Sequence, residues 1–462
     1  MKKTILLAFA LVAFVAMPAM ASVQNVKISG SIDSTWLIRN DFDLGMSVIG
    51  DEEQNLFITQ AILQADADLT DNVSTTIALI NERVWGDQSN DASTGVDLLL
   101  AYVTLREMLY SPLTVVAGKQ AFHYGNSFIV DAAGTNNAAP ADSNLATVAG
   151  DLTKQTTQDA IRLIFDYEPL SIELLASKIN SRTNTAGVDD ANNDDVDLYG
   201  INAGYEVGDS MNTQVEAYFF AKTDKQTAGS LENKSDTVYV PGLRASTNPI
   251  EGLNVQAEVA WQRGNRVAST TRLDNERREA LGAQVIASYQ VPVLEEYKPI
   301  LGYVYTYASG DSNPDDRGAA TETSRNVYTG WDPMFENQAG GTIYNALFNL
   351  TNCHIHTVSA QVNPIEDVTT KVSWTNLGLD KKLHSDTALN TLVQPDGTAS
   401  SAYAFNANED EVGNEVDVVL TYDYTEDVQL GANFGWFMPG DLFTGANDQV
   451  ATQAIVHGNV NF

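Results

Sequence analysis

The segment Cys353-His354-Ile355-His356 contains residue types that often bind transition metals. Side chains alternate along an extended strand, so His354 and His356 would share one face, with the thiol of Cys353 beside them in sequence. Structural zinc sites need four ligands with defined spacing. The sequence supplies no second ligand pair to complete such a set. It therefore predicts no metal site, and we expect no other cofactor.

Two Gly-Asp-Ser tripeptides, Gly208-Asp209-Ser210 and Gly310-Asp311-Ser312, each offer a serine nucleophile. Both fall at predicted turns, and neither has the Gly-x-Ser-x-Gly context of a nucleophile elbow. The five histidines form no triad that the sequence can assemble. The acidic run from Asp190 to Asp197 resembles half of a calcium loop but lacks the glycine at its sixth position and the distal glutamate. The run is typical of a solvated loop, and the sequence predicts that the protein is not an enzyme.

The remaining candidates are charged residues at alternate positions of strand-like segments. Alternation with a period of two predicts that they face a polar interior, where they would contact a passing solute. The predicted pore-lining bases are Arg39, Arg106, Lys119 and Arg162, and the predicted pore-lining acids are Asp66, Glu216, Glu258 and Asp417. These assignments depend on strand register, because a slip of one residue reverses the face of every side chain.

The segments that carry these charges alternate apolar and polar residues over about ten to fourteen positions, the length of a tilted membrane strand. Between residues 253 and 262, for example, Leu253, Val255 and Val259 alternate with polar side chains. The sequence predicts about eighteen such strands, an even number as in bacterial barrels. Their ranges are 26–39, 55–69, 73–84, 96–109, 112–121, 158–168, 169–179, 196–207, 211–222, 236–248, 252–265, 277–291, 296–310, 353–363, 367–377, 411–425, 427–438 and 450–462.

A soluble β-sandwich would also show alternation, but three features favour a membrane barrel. Turns on one side of the strands are short, connections on the other side are long, and aromatic residues cluster near strand ends. The long connections include 122–158, 312–351 and 378–408, and the aromatic residues include Trp36, Trp85, Tyr167, Trp261, Tyr289, Trp374 and Trp436. We therefore predict an all-β fold, a transmembrane antiparallel β-barrel of about 18 strands with an aqueous lumen.

The two ends of the chain agree with this fold. Residues 1–21 have a basic start, a short apolar run and Ala19-Met20-Ala21 before the predicted cut, the pattern of a secretory signal peptide. We assign the barrel to residues 22–462 and expect its last strand to close against the first. A formal net charge of −34 excludes a nucleic-acid partner. The single cysteine leaves no internal disulfide, as expected for a bacterial envelope protein.

Several short segments resemble the alginate-export family of outer-membrane channels. They are Asn81-Glu82-Arg83-Val84-Trp85-Gly86, Asp97 to Val103, Gly118-Lys119-Gln120 with Tyr124-Gly125, Tyr307 to Asp311, Trp331 to Phe335, Gly413 to Asp417 and Phe437-Met438-Pro439-Gly440. The resemblance implies an eighteen-stranded barrel with loops that partly occlude a selective pore, and a basic lumen that passes polyuronates. Where the family pattern has arginine after the glycine, this chain has Lys119, which replaces a bidentate fork with a point charge.

The expected function is a channel of the bacterial outer membrane for passive or substrate-selective passage of an alginate-like polysaccharide or of small solutes. The alternative is a general cation-preferring porin, because acids outnumber bases on the predicted inward positions. Expected partners are outer-membrane lipid and lipopolysaccharide, a saccharide or small-ion permeant, and the barrel-assembly machinery, whose recognition signal the terminal aromatic strand resembles.

Overall fold

The computed structural model describes residues 25–45, 53–86, 95–131, 145, 148–180, 195–226, 234–267, 275–312, 327–338, 341–383, 404–445 and 447–462. The predicted signal peptide and the acidic run as far as Asp194 lie outside this part of the chain. Regular structure in it is almost entirely β-strand, with one short helix, α1 at Tyr344–Leu347, and 3-10 turns at Gly150–Leu152 and Glu295–Tyr297. None of the described helical segments has the length and apolar character needed to cross a membrane.

The described wall is built from eighteen strands of at least eight residues, together with one two-residue strand, β14, at its rim. The strands are β1 Asn25–Asn40, β2 Gln54–Thr70, β3 Val73–Val84, β4 Asp97–Leu105, β5 Leu113–Gln120, β6 Gln158–Asp166, β7 Leu170–Asn180, β8 Val196–Glu206, β9 Gln214–Gln226, β10 Lys234–Ile250, β11 Leu253–Val267, β12 Asn275–Gln290, β13 Ile300–Ala308, β14 Val327–Tyr328, β15 Cys353–Ile365, β16 Val368–Leu379, β17 Glu411–Asp423, β18 Val428–Pro439 and β19 Ala451–Asn461.

Each long strand pairs antiparallel with the next long strand, and the ring closes where β1 pairs with both β2 and β19. At the closing seam Ser31 lies opposite Asn461, and Asn40 lies opposite Thr452. The backbone of Phe462 extends this pairing through two hydrogen bonds to Gly30, of 2.9 and 3.0 Å. Closure leaves no unpaired strand edge in the hydrocarbon, where an unsatisfied backbone group costs several kcal/mol. The predicted fold, strand number and closing pair are confirmed.

The two faces of the wall differ as the alternation predicts. Apolar residues such as Val26, Ile28 and Ile32 are 57, 59 and 45% exposed on the outer face, where lipid replaces water. Trp36, Phe57 and Trp85 stack on one another on this face, with ring centroids 5.7 and 5.2 Å apart. Such an aromatic band is typical of a membrane interface. The inward positions carry mainly polar side chains, which line the lumen.

Two strands, β4 and β13, lack four residues that the sequence predicts at one end, whereas β9 runs four residues past its predicted end, to Gln226. Strand β4 ends at Leu105, because Glu107 and Leu109 adopt left-handed backbone conformations with φ of 52° and 68° in the turn that follows. Strand β13 begins only at Ile300, since Leu294 and Lys298 on either side of the 3-10 turn are also left-handed. Both shortened ends lie at the end of the barrel with short connections, which we call the short-turn end.

The described parts of two long connections fold inward and pack against the inner wall. The first inner segment comprises the described residues between β5 and β6, and the second comprises those between β13 and β15. They pair in parallel through a bridge between Val130 and Phe335, with Asp131 N to Phe335 O at 2.7 Å. Phe128 and Trp331 stack beside this bridge with centroids 5.7 Å apart, and both are at most 2% exposed. The main hydrophobic core therefore lies inside the barrel, between the wall and these segments.

Candidate functional site

A buried ion pair fixes the first inner segment to the closing seam. The guanidinium of Arg39, on β1, donates to both carboxylate oxygens of Asp151 at 3.1 and 2.5 Å. Its Nε donates to Gln453 of β19 at 2.6 Å. Arg39 is 5% exposed, so Asp151 neutralises a charge that would otherwise be buried alone. The role that this geometry gives to Arg39 is to anchor the segment, and its charge is not free for an anion.

Glu82 of β3 holds the same segment a short distance along the wall. Its carboxylate accepts from the Thr153 hydroxyl at 2.9 Å, the Lys154 backbone N–H at 2.7 Å and the Gln60 amide at 2.6 Å. Glu82 is 5% exposed. Several donors around one carboxylate compensate for its loss of water.

The second inner segment is held by Asp332, which meets two bases of the wall. Lys222 Nζ lies 2.7 Å from one carboxylate oxygen, and Arg278 Nη2 lies 3.7 Å from the other. Burial raises the pKa of Asp332, but the positive charges of Lys222 and Arg278, with hydrogen bonds from Lys222 and Met334, outweigh burial and bring it to about 2. The anchor is therefore ionised at neutral pH.

A pair of carboxylates on β17 holds the start of α1. Glu415 accepts the backbone N–H groups of Thr342, Ile343 and Tyr344 at 2.6, 2.8 and 2.7 Å. Asp417 accepts the Thr342 hydroxyl at 2.7 Å. Both carboxylates are at most 2% exposed. Asp417, predicted to line the pore, thus faces inward but lies beneath the second inner segment.

The largest group of predicted site residues meets on the inner wall of β6 to β11. Arg162 donates to Glu173 through Nε at 2.6 Å and Nη2 at 2.9 Å, and Tyr124 of the first inner segment also donates to Glu173. In the next row Arg244 lies between Glu216 and Glu258 by register. Arg244 forms an ion pair with Glu216.

Glu258, the other acid in that row, is 4% exposed and accepts the Tyr218 hydroxyl at 2.7 Å. Together the two rows form a network in which Arg162 and Arg244 each bond to a carboxylate. Their carboxylate partners neutralise the charges of the two arginines. The additional acids therefore give this part of the wall a net negative charge.

Two adjoining cavities run along this wall from the short-turn end, and we call them together the acidic passage. Their volumes are about 570 and 280 Å³, and they share Ser171, Gly204 and Glu216. The first also contacts Asp166, Glu168 and Glu206, and the second reaches His123, Tyr124, Glu173 and Asn202. Small side chains at 171 and 204 leave room between the carboxylates. The passage is therefore a polar, predominantly acidic path that runs from the short-turn end to the first inner segment.

Besides Arg39 and Asp417, three more predicted residues lie away from this network. Asp66 faces the lumen nearer the short-turn end of β2, where it accepts from Thr76 at 2.6 Å and Gln64 at 2.8 Å. Arg106 is exposed in the turn after β4, beyond the wall, because the strand ends at Leu105. Lys119 lies opposite Ala101 and Asp159, on the outward register that β6 continues with Ile161, which is 53% exposed. The structure thus places Arg106 and Lys119 outside the lumen.

The metal-like segment at the start of β15 is divided between the two faces of the wall. The thiol of Cys353 is buried in the inner core, while the two histidines face outward and contact tyrosines of β13. His354 Nδ1 lies 2.8 Å from the Tyr305 hydroxyl, and His356 Nδ1 lies 3.0 Å from the Tyr303 hydroxyl. Within the described ranges no three metal-binding side chains come together.

Sequence reasoning missed Arg244, Tyr124 and Asp332. Arg244 continues the inward alternation of Val238 and Val240, so the signal was present in β10 but is interrupted by Pro241. Tyr124 and Asp332 lie in long connections, where no periodicity assigns a face. Only the inward folding of these connections brings them to the wall.

Comparison with known proteins agrees with the fold. The family model described as alginate export matches residues 28–457. The crystal structure of Pseudomonas aeruginosa OccK2 (OpdF) in complex with glucuronate is similar, with a TM-score of 0.52, 11% identity, and coverage of 95% of this chain and 99% of that one. Pseudomonas aeruginosa OccD3 (OpdP) gives a TM-score of 0.54 and 10% identity, covering 96% and 92%. No curated protein matches this chain.

Proposed function

Because the chain belongs to the alginate-export family of outer-membrane barrel channels, we propose that it is a substrate-selective channel for small neutral, hydroxylated solutes and small cations. Its location in the outer membrane and its barrel follow from the family and the closed wall. The proposal concerns the permeant and makes the protein a transporter without catalytic chemistry.

One observation carries the proposal: acids exceed bases along the acidic passage. Asp166, Glu168, Glu173, Glu206 and Glu216 contribute to its lining, whereas the neighbouring bases Arg162 and Arg244 are each bonded to one of these acids. A path with excess negative charge between low-dielectric walls concentrates cations and repels anions. Hydroxyl groups of a neutral sugar can donate hydrogen bonds to the same carboxylates.

The size of the path supports small solutes. The two inner segments are fixed by Asp151, Asp332 and the carboxylates of β17 to different parts of the wall. A ring of eighteen strands would otherwise leave a wide aqueous channel. Solutes must pass beside these segments. Tyr124 of the first inner segment lines the acidic passage there and donates a hydrogen bond to Glu173.

An alginate-like polyuronate is the second candidate. It is favoured by the family description and by Arg162 and Arg244, whose forked guanidinium groups bind carboxylates well. On this reading a uronate would have to displace Glu173 or Glu216 from its base. The glucuronate complex of OccK2 (OpdF) shows such a ligand with a barrel of the same fold.

The reversal potential of the purified protein in a planar bilayer with a salt gradient distinguishes these candidates. We expect cation preference, which decreases in Glu216→Gln because Arg244 loses its ion-pair partner. Asp71→Asn, an equivalent change in an exposed turn at the same end, serves as the control. Anion preference of the wild-type protein, with block by added uronate oligomers, would replace the proposal with the polyuronate route.

A further inference from the structure

The lipid-facing register of the wall carries lysine and arginine side chains at one level of the barrel, which we call the basic belt. Each of them is among the five residues of its strand that lie next to a long connection. Barrels of the bacterial outer membrane have short periplasmic turns and longer extracellular loops, so the basic belt lies at the level of the outer leaflet. Its members are Arg83, Lys119, Lys178, Lys225, Arg263 and Arg277.

The sign of the belt is opposite to that of the whole chain, which has a net charge of −34. Along the described part of β5 to β12 the outward register carries five bases and three acids, and the acids are Asp159, Asp197 and Glu279. Basic side chains beside a membrane surface attract anionic headgroups. The wall therefore has positive charge at the level where a headgroup would meet it.

Two arginines of the belt are neighbours on adjacent strands. Arg263 of β11 lies opposite Glu279 of β12, and Arg277 lies two residues away on β12, opposite Asn265. Arg263 and Arg277 are thus diagonal neighbours, which in a sheet are about 7–8 Å apart. Two forked guanidinium groups on long side chains at this separation can converge on one phosphate group.

Both guanidinium groups retain free donors. Arg263 is exposed, donates to the Gln262 carbonyl at 3.1 Å, and has no carboxylate oxygen recorded within 4.0 Å in the part of the chain that the structure describes. Arg277 has a side chain that is 55% exposed and pairs with Glu279 at 3.1 Å. An exposed ion pair of this kind contributes little free energy, so it competes weakly with a ligand. The two arginines and Glu279 together have a net charge of +1.

Aromatic rings lie beside and below the two arginines on the same face. Trp261 precedes Arg263 by two residues towards the short-turn end and is 38% exposed. Tyr239 lies opposite Arg263 and stacks on Phe219, with ring centroids 6.2 Å apart. Tryptophan and tyrosine are typical of the boundary between headgroups and acyl chains. The arginines therefore lie just above the apolar part of the wall.

We infer that Arg263 and Arg277 bind a phosphate group of the outer-leaflet glycolipid, lipopolysaccharide, whose acyl chains lie along the wall below Trp261. The charge of the arginines matches the phosphate, and the apolar wall beneath them matches the acyl chains. A free phosphate ion would contact the arginines alone and leave the aromatic rings without a partner. The site is on the outside of the barrel, so it does not depend on the proposed permeant.

Native mass spectrometry of the full chain, released from detergent and titrated with bisphosphorylated lipid A, tests the inference. We expect the wild-type protein to retain lipid A, and the double variant Arg263→Gln, Arg277→Gln to bind the first lipid about tenfold or more weakly, as expected for the loss of charge-assisted contacts. Lipid A without its phosphates should bind the wild-type protein as weakly as intact lipid A binds the double variant. The matched control is Arg106→Gln, which removes an exposed arginine at the short-turn end and should bind like the wild-type protein.

The heat-dependent mobility of the barrel in gels shows whether each variant is folded. If the double variant does not fold, Arg263→Gln alone is compared with Arg106→Gln. Equal binding of lipid A by the wild-type protein and the arginine variant, or undiminished binding of the dephosphorylated lipid, would overturn the inference. Binding of inorganic phosphate with the same affinity as lipid A would overturn the lipid assignment. Since the readout is lipid binding and not conductance, each of these failures leaves the proposed permeant untouched.

Discussion

Arg39 and Asp332 illustrate how single charges organise the lumen. Arg39 is buried and Asp332 is partly buried, and each meets an opposite charge on an element distant in sequence: Arg39 meets Asp151, and Asp332 meets Lys222. Removal of one partner from a buried ion pair leaves an uncompensated charge, which costs more than the intact pair contributes. Such residues determine where the inner segments lie, and thereby the shape of the path.

Arg39→Ala should release the described residues around Asp151 from the wall. Loss of one partner from a buried pair costs about 3–5 kcal/mol, although local opening of the segment will relieve part of it. Hydrogen exchange of residues 148–157 should accelerate, while the wall strands remain protected. Arg106→Ala, which removes an exposed arginine in a turn, should leave the exchange unchanged. Equal protection in the two variants would show that Arg39 does not hold the segment.

The anchor at Asp332 should be lost only in strong acid. The pKa of Asp332 is about 2 in the folded protein, below its ordinary value of 3.8. A carboxyl group with a lowered pKa contributes stability above its unfolded pKa, and this contribution disappears as the pH falls through the folded pKa. Hydrogen exchange around residues 331–337, corrected for intrinsic rates, should stay constant from pH 7 to about pH 4 and rise towards about pH 2. In Asp332→Asn this step should be absent, and a step near neutral pH would contradict the assignment.

At the scale of elements, the strands could be predicted from sequence and the inner segments could not. Alternation placed Arg162, Glu216 and Glu258 on the inner wall, because a strand with lipid on one face and a polar interior on the other retains a period of two. It did not exclude Arg106, which lies beyond a strand end that two left-handed residues determine. The residue at which a strand ends depends on local backbone conformation, and the alternation of polar and apolar residues does not report that conformation.

The position of the inner segments could not be predicted from sequence for a different reason. Their residues pack against the wall through contacts far apart in sequence, such as Phe128 with Trp331. The sequence shows that these connections are long but carries no periodic signal for their direction. The inward folding follows from apolar residues that no strand face accommodates and that bury one another inside the barrel.

Trp331→Ala should loosen the contact between the two inner segments. The indole is 2% exposed and stacks on Phe128, and truncation of a buried aromatic side chain costs about 3–5 kcal/mol. Single-channel traces should show more frequent transitions between conductance levels as the segments separate. Trp36→Ala, which removes an indole from the lipid-facing wall, is the control and should leave the frequency of these transitions unchanged. A wild-type frequency of transitions in both variants would mean that the stack of Phe128 and Trp331 does not fix the segments.

At the scale of the whole molecule, closure makes the wall one continuous unit. β1 and β19 come from opposite ends of the chain but pair over ten positions, from Ser31 opposite Asn461 to Asn40 opposite Thr452. Every wall strand thus has two neighbours, and the inner segments are attached to a rigid ring. Side chains of both the ring and the first inner segment therefore line the acidic passage.

Deletion of Phe462 should slow barrel closure. Its backbone forms two hydrogen bonds with Gly30, and its ring lies over that glycine, where a Cβ atom would be only 2.7 Å from the ring. The fraction of heat-modifiable, closed barrel after a fixed refolding time in vesicles should decrease. Phe462→Tyr, which keeps the backbone bonds and the ring, should fold like the wild-type protein. Indistinguishable refolding of the deletion variant would contradict a role for this contact in closure.

Single-channel conductance tests most directly the central claim that the inner segments, and not the wall, set the width of the path. The ends of β5 and β6 are already adjacent, since Gln120 pairs with Gln158, so a short glycine-serine turn can replace residues 122–157. An equivalent shortening of residues 227–233, between the paired Gln226 and Lys234, is the control. We expect the first deletion to raise conductance several-fold towards that of an open eighteen-stranded ring, while the control keeps the wild-type value. An unchanged conductance after removal of the first inner segment, in a barrel shown to be folded, would contradict the account.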